Sequence, residues 1–482
     1  MVAPCRARDK AKGPLYRLVL DHLEEFEICL RRPQDHRPRP PRSVIEHLQK
    51  YIECGIARFG VMRFRCQQCG EDLFVAFSCK KRGFCPHCDA KRATIIMADA
   101  SDRLLPEVGY RQYVLTIPKR LRWFVNQNAA LPGEISRILA REIELYLHKR
   151  TAGTAAAQLH FIQRAGRSLN LHTHVHAVVS EGRFSLEPGL LGPQLRFHPS
   201  LPPSRQEIDL MTETLRRKIF RRLRRLNAIP EDMAREMLAW PNSGFSLHAK
   251  VFVPAGDREG LERLLYYCAR PGLSLMRLSY LPKNNLVIYR KESKHETVDL
   301  RFDPVDFLRR WALLIPPPRK NLMRYYGALA PNSPLRALMV AEASHGTAKA
   351  RLRKKVEGVR EAVSHNVKSW AACLARVFEV DPLICPRCSE MMVPIAIIMK
   401  DSELTRLLTN LGLPTDFPKS QPARSTLAEM MCGPPAHDGQ HISLWPSGPG
   451  HYRALGDECQ LDPRVDLYEA VDTPPVDDLP AA

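Results

Sequence analysis

The stretch Leu169–Ser180, Leu-Asn-Leu-His-Thr-His-Val-His-Ala-Val-Val-Ser, leaves this part of the chain few choices. His172, His174 and His176 fall at every second position among β-branched and apolar residues. That is the period of a strand, so three imidazoles share one face while Leu171, Thr173 and Val175 share the other. Such a row either decorates the wet face of a half-buried strand or forms half of a metal or phosphate site. Three histidines at alternating positions favour the site. Imidazole ligands suit zinc, iron, copper or manganese better than magnesium, which prefers oxygen.

The remaining composition says what such a site acts on. At 482 residues the chain is too long for one ordinary core, and several domains are expected. Lys and Arg outnumber Asp and Glu by 72 to 52, a formal charge of +20, which calls for a polyanionic partner, most often nucleic acid. The first residues, Met-Val-Ala-Pro-Cys-Arg-Ala-Arg-Asp-Lys, precede no apolar segment, and no long apolar run suggests a membrane span, so a cytoplasmic protein is expected. Its cysteines then read as metal ligands or buried thiols rather than disulfides.

Those cysteines are densest in one region. Cys66-x2-Cys69 and Cys85-x2-Cys88 stand at a spacing typical of structural zinc, where each knuckle puts two thiolates on one side of a tetrahedron. Cys66, Cys69, Cys85 and Cys88 are therefore the expected ligands, with Cys54 and Cys79 as substitutes or a second partial site. Lys80, Lys81 and Arg82 beside the knuckles are expected to touch DNA backbone. Cys385-Pro-Arg-Cys388 is a lone knuckle that Cys432, His437, His441 or Cys459 could complete, or a pair of free thiols.

Periodicity and punctuation predict the other elements. Helices are expected over residues 14–31, 43–53, 134–149, 204–226, 257–270 and 304–314, the fourth capped by Ser204 and the fifth by Asp257. Strands are expected at residues 112–117, 158–163 and 245–253, with the second and the histidine strand forming a hairpin. A Gly/Pro-rich loop over residues 181–203 and a hairpin turning at Asn284-Asn285 complete this part. Helix 204–226 keeps Leu215, Ile219, Leu223 and Leu226 on one stripe and arginines elsewhere, a solvated face or a phosphate-binding one. The acidic stretch from about Gly456 reads as a disordered tail.

In helix 257–270, Leu261, Leu264, Leu265 and Cys268 form the buried stripe, and Tyr266 and Tyr267 lie off it. Tyr267 has Arg263 one turn before and Arg270 one turn after, a setting suited to a phosphodiester. The wheel alone leaves Tyr266 nearly as good, and an aromatic pair that merely packs is also open. No G-x-x-x-x-G-K phosphate loop is present, so ATP hydrolysis is not expected.

His174-Val175-His176, following Phe161-Ile162-Gln163-Arg164 and Leu169-Asn170-Leu171, resembles the signature of the HUH endonucleases, and its context resembles their rolling-circle insertion-sequence transposases. The stretches Ser78–Pro86, Gly244–Ala249, Tyr267-Cys268-Ala269-Arg270-Pro271 and Arg324-Tyr325-Tyr326-Gly327 agree, so the likeness covers roughly residues 14 to 398. The resemblance implies an α+β fold, an HUH-type antiparallel sheet with flanking helices, an N-terminal zinc-binding module and a C-terminal helical or irregular region. It divides the chain into residues 1–42, 43–105, 106–335, 336–400 and 401–482, the third being catalytic. It implies cleavage and transfer of single-stranded element ends through a 5′-phosphotyrosyl intermediate, with structural zinc, catalytic magnesium or manganese and DNA as partner, in a homo-oligomer or a single copy. Carried over by position, His174 and His176 are metal ligands, Gln163 and His248 are candidates for the third, and Tyr267 is the nucleophile. Arg263, Arg270 and His172 would contact the DNA. Two-tyrosine members place a second tyrosine four residues earlier, where this chain has Arg263, which implies a single-tyrosine enzyme like those of the common-region elements. The alternatives are a non-catalytic zinc-containing DNA-binding protein and a metal-dependent nuclease that uses water.

Overall fold

The computed structural model describes residues 10–31, 43–190, 192–292, 297–345 and 383–422. At its centre lies an antiparallel sheet of β3 (Tyr110–Thr116), β4 (Ala157–Ala165), β5 (Leu171–Ser180), β8 (Ser246–His248), β9 (Phe252–Val253) and β13 (Met323–Gly327). Its order is β13-β4-β5-β3-β8, with β9 also pairing β3. Every residue of β3 is buried, because helices cover both faces. One face presents Tyr113, Leu115, Ile162, Val175, Ala177 and Val179 to α4 (Lys119–Gln127), α5 (Leu131–His148) and α6 (Arg205–Arg225). The other presents Leu159, Phe161 and Val178 to α3 (Pro86–Arg103), α8 (Arg258–Ala269) and α10 (Arg336–His345). Period two assigns the histidines of β5 to this second face, the one on which α8 lies.

Local chemistry fixes the helices that frame the sheet. Ser204 and Glu207 form a reciprocal capping box at the start of α6, and the Asp257 carboxylate accepts from the Gly260 amide at the start of α8 (2.8 Å). Pro271 follows directly on Arg270 and stops α8 there.

Around this sheet, among the described residues, are two three-stranded ones. β10 (Leu278–Leu281), β11 (Leu286–Glu292) and β12 (Thr297–Phe302) form the first, turning at Asn285 in the left-handed region (φ 50°). It packs with α1 (Pro14–Arg31), α2 (Val44–Glu53) and α9 (Pro304–Leu313) in a core where Phe84 stacks on Trp311, ring centroids 4.0 Å apart. The second consists of β1 (Val61–Cys66), β2 (Asp72–Ala76) and β14 (Met392–Ile398), in the order β14-β1-β2, with α11 (Asp401–Asn410) beside it.

Two expectations are corrected. Residues 181–203 hold a hairpin of β6 (Gly182–Gly189) and β7 (Gly192–Pro199), because Phe184 faces Phe197 and Leu186 faces Leu195 across the strands; this alternation outweighs the glycines and prolines. Residues 245–253 make two short strands, not one. Contacts cross the expected boundaries, since α3 lies on α8 and β14 adds to β1. The Pro/Arg-rich connector 32–42, the basic cluster 349–355, the acidic tail and Cys432, His437, His441 and Cys459 lie outside the described residues. Among the described residues no helix is long and apolar enough to cross a membrane.

Candidate metal and tyrosine site

β5 pairs with β4 and β3 so that Gln163, His174 and Thr116 form one row and Phe161, His176 and Val114 the next. His172, His174 and His176 are each 3% exposed or less, with successive ring centroids 5.0 and 4.8 Å apart. Burial holds all three imidazoles neutral: that of His174 is lowered to about 4, and those of His172 and His176 fall well below 6.5. His174 Nδ1 lies 2.8 Å from the His172 carbonyl, so Nδ1 carries the proton and the Nε2 lone pair faces away from the strand. The buried Nε2 atoms of His172 and His176 have no hydrogen-bond partner among the described residues. Neutral imidazoles with unused nitrogens on one face are a donor set fit for a divalent metal.

Two carboxamides flank the row. The Gln163 amide nitrogen donates to the Cys268 carbonyl (2.8 Å), which leaves the side-chain oxygen for another partner and ties β4 to the end of α8. The Gln112 carboxamide, 1% exposed, meets His176 Nδ1 at 3.0 Å and Cys268 Sγ at 3.2 Å. Its own oxygen is unpartnered among the described residues.

α8 brings Tyr267 to the row. The phenol ring stands edge-on to His176, centroids 5.7 Å apart at 89°, and the Arg270 guanidinium lies 4.2 Å above it. Burial raises the phenol to about 12, opposed by the positive charges of Arg270, Arg167 and Arg277. Tyr266 is 38% exposed and points away. Of the two tyrosines left open by the helical wheel, the fold puts Tyr267 on the histidines.

The other expected members stand farther from Tyr267. His248 stands opposite Val114 and Val114 opposite His176, so the two histidines share a row with one strand between them, about 9.6 Å apart at the backbone, and the buried His248 Nδ1 has no hydrogen-bond partner among the described residues. Arg263 lies 3.7 Å from Glu259, one turn back on α8, in an ion pair open to solvent. Lys81 pairs with Glu46 (2.6 Å), half-buried Arg82 donates to the Lys320 carbonyl, and Lys80 is exposed. Gln112, Arg167 and Arg277 were not foreseen. A glutamine directly before the largely apolar run Tyr113–Ile117 was the available signal for the first, whereas the two arginines come from connecting segments that only tertiary packing brings in.

The expected cysteine quartet is divided. Cys54, Cys79, Cys85 and Cys88 bring their sulfurs together, at 3.6 Å for Cys54–Cys88 and Cys79–Cys88 and 3.8 Å for Cys54–Cys85. Cys66 and Cys69 instead face Cys385 and Cys388. β1 and β2 carry the first knuckle toward β14, away from the start of α3, where Cys85 and Cys88 sit. The buried Lys10 ammonium, donating to the Cys54 carbonyl (2.9 Å) and lying 3.8 Å from the Tyr51 ring, supplies a positive charge beside the first cluster. Among the described residues these are the groups of three or more His, Cys, Asp or Glu ligand atoms close enough to share a metal.

Comparison with known proteins agrees with this division of labour. Residues 158–336, which carry β4, β5, α8 and β13, match the family model of a putative transposase. Residues 26–117, which carry six of the eight clustered cysteines, match the transposase zinc-binding domain. The transposase for insertion sequence element IS801 of Pseudomonas savastanoi pv. phaseolicola is 25% identical over 369 residues, 73% of this chain and 84% of its own length. No solved structure matches the chain. On these matches the chain carries a zinc-binding domain followed by a transposase domain, the composition of an insertion-sequence transposase.

Proposed function

We propose that this protein is a single-tyrosine transposase of the HUH type, which cleaves and transfers single-stranded DNA at the ends of its element by rolling-circle transposition. The observation that carries the reading is the packing of the Tyr267 ring against His176, which puts a phenol beside a row of neutral imidazoles. A non-catalytic DNA-binding protein has no use for that pairing, and a nuclease acting through water has no use for the phenol.

His174 and His176, with the Gln163 side-chain oxygen, would hold a divalent manganese or magnesium ion. When bound, it polarises the scissile phosphate and lowers the barrier to attack by a weak nucleophile. Tyr267 then supplies the attacking oxygen. Its phenol gives up a proton as the new phosphorus–oxygen bond forms, and the bond to the 3′ oxygen breaks, releasing a 3′-hydroxyl and leaving DNA on the tyrosine through its 5′ phosphate. The phosphotyrosyl bond keeps the energy of the broken one, so attack by a 3′-hydroxyl reverses the step and joins a new strand without ATP. Arg270, over the Tyr267 ring, would steady the phosphate oxygens, and Arg167 and Arg277 would add positive charge where the phenolate develops.

Single-stranded DNA bearing the element's own flanking sequence, incubated with full-length protein and manganese, tests this. A nuclease-sensitive covalent adduct is expected, absent with Tyr267→Phe and present with Tyr266→Phe. Cleavage by Tyr267→Phe at the wild-type rate would overturn the tyrosine mechanism.

A further inference from the structure

The cluster left aside by the matched zinc-binding domain is the one that joins the two ends of the chain. Cys66 and Cys69 lie within residues 26–117, but Cys385 and Cys388 lie beyond both matched regions. Their sulfurs stand 3.5 Å apart for the pairs Cys66–Cys388, Cys69–Cys385 and Cys69–Cys388. Four sulfurs at 2.3 Å from a tetrahedral zinc ion lie about 3.8 Å from one another, so the cluster needs only slight expansion to take the ion.

The backbone around the sulfurs is built for it twice over. Cys66-Gln-Gln-Cys69-Gly70-Glu71 and Cys385-Pro-Arg-Cys388-Ser389-Glu390 share one spacing. In each, the amide of the first cysteine donates to the carbonyl of the glutamate at 2.8 Å. In each, the amide of the fifth residue donates back to the first cysteine carbonyl, at 3.1 and 2.9 Å. The fifth residue takes the left-handed conformation in both, Gly70 at φ 71° and Ser389 at φ 61°. A non-glycine residue there is strained, and the strain is accepted where the turn must aim two thiolates at one point. Two matching knuckles facing each other form a ribbon-like four-thiolate site.

Contacts away from the sulfurs hold the same segments together. β14 pairs with β1 along its whole length, from Val61–Ile398 to Cys66–Met392. Buried Arg58 makes an ion pair with Asp401 and lies 3.8 Å over the Phe417 ring. The Gln421 amide donates to the Leu20 carbonyl (2.9 Å), and Ser420 donates to Glu24 (2.7 Å).

We propose that Cys66, Cys69, Cys385 and Cys388 bind a second structural zinc ion, distinct from that of Cys54, Cys79, Cys85 and Cys88, and that this ion fastens residues 383–421 onto the N-terminal module. The site stands whether or not Tyr267 is the nucleophile. Metal analysis of the purified full-length protein should give two zinc ions per chain and no visible absorption from iron. The double variant Cys385→Ser/Cys388→Ser should retain one, and Cys388→His, which keeps a ligand, should retain two. Thiol labelling of the wild-type protein, read by mass spectrometry, guards against a variant that misfolds. Cys66, Cys69, Cys385 and Cys388 should be protected together and become reactive together when a chelator removes one zinc equivalent. One zinc per chain in the wild type, two in the double variant, or Cys385 and Cys388 reacting freely while Cys66 and Cys69 stay protected would each overturn the proposal.

Discussion

Gln112→Leu is the substitution that separates a metal site from a row of packed histidines. Gln112 is buried, and its carboxamide meets His176 Nδ1 at 3.0 Å. Turned by 180°, the carboxamide accepts from Nδ1–H through its oxygen, and the Nε2 lone pair of His176 then faces the site. Leucine keeps the volume and removes the orienting bond, leaving Nδ1 buried without a partner, which costs about 1–3 kcal/mol of stability. Losing such an orienting partner lowers metal affinity about 10- to 100-fold, equivalent to about 1.4–2.7 kcal/mol. Manganese binding by electron paramagnetic resonance measures the affinity, and single-turnover adduct formation measures its consequence. The rate should fall at limiting manganese and recover at saturating manganese, as for a residue that positions a ligand without touching DNA. Gln112→Glu, whose carboxylate accepts from Nδ1–H, should restore binding. Wild-type affinity in Gln112→Leu, or a rate that saturating manganese does not rescue, would refute the reasoning.

Further measurements bear on the same picture. Burial lowers His174 from 6.5 to about 4, so manganese affinity should stay flat from pH 8 to about 5.5 and fall only below that; a tenfold loss between pH 7.5 and 6 would contradict it. In the metal-free state that same drop corresponds to a few kcal/mol of stability, present above pH 6.5 and lost as the pH falls from there through 4. Because burial raises the Tyr267 phenol to about 12, the single-turnover rate should still be climbing between about pH 10 and 11, and a plateau setting in near pH 10 would show a phenol that ionises near its ordinary value. On the opposite face of the sheet, Arg137, Arg141, Lys218, Arg221, Arg222 and Arg225 line a groove between α5 and α6. Arg221→Glu/Arg225→Glu should weaken DNA binding and flatten the slope of log affinity against log salt by about 1.4–1.8, while an unchanged slope would remove the groove from the DNA path.

The histidine strand was legible because its chemistry and its period coincide; nothing but a strand puts His172, His174 and His176 together. The hairpin partner followed from it, which is why Gln163 could be placed opposite His174 before any fold was known. Tyr267 needed the resemblance, since a helical wheel separates buried from exposed but does not say which neighbour a helix meets. Arg263 shows the same limit: an i−4 neighbour can reach a ring or an acidic side chain one turn back, and only the fold shows the guanidinium beside Glu259. Arginines of α6 look alike in sequence, yet Arg216 is spent inside the fold on Glu213, the Leu238 carbonyl and Ser243. The cysteines mislead most. A 15-residue gap between knuckles is ordinary for zinc, and no local signal says that Cys69 looks past Cys85 to a partner 316 residues further on.

That separation also sets a sequence of events as the chain is made. The hairpin of β1 and β2 emerges early, but one side of β1 has no neighbour until β14 arrives. Until then the first module carries an open strand edge and half a set of thiolates, the kind of surface that recruits other chains. The part synthesised first is thus finished last, and a copy of the gene broken before residue 385 would yield a protein with every histidine and tyrosine of its site but an unsealed front end.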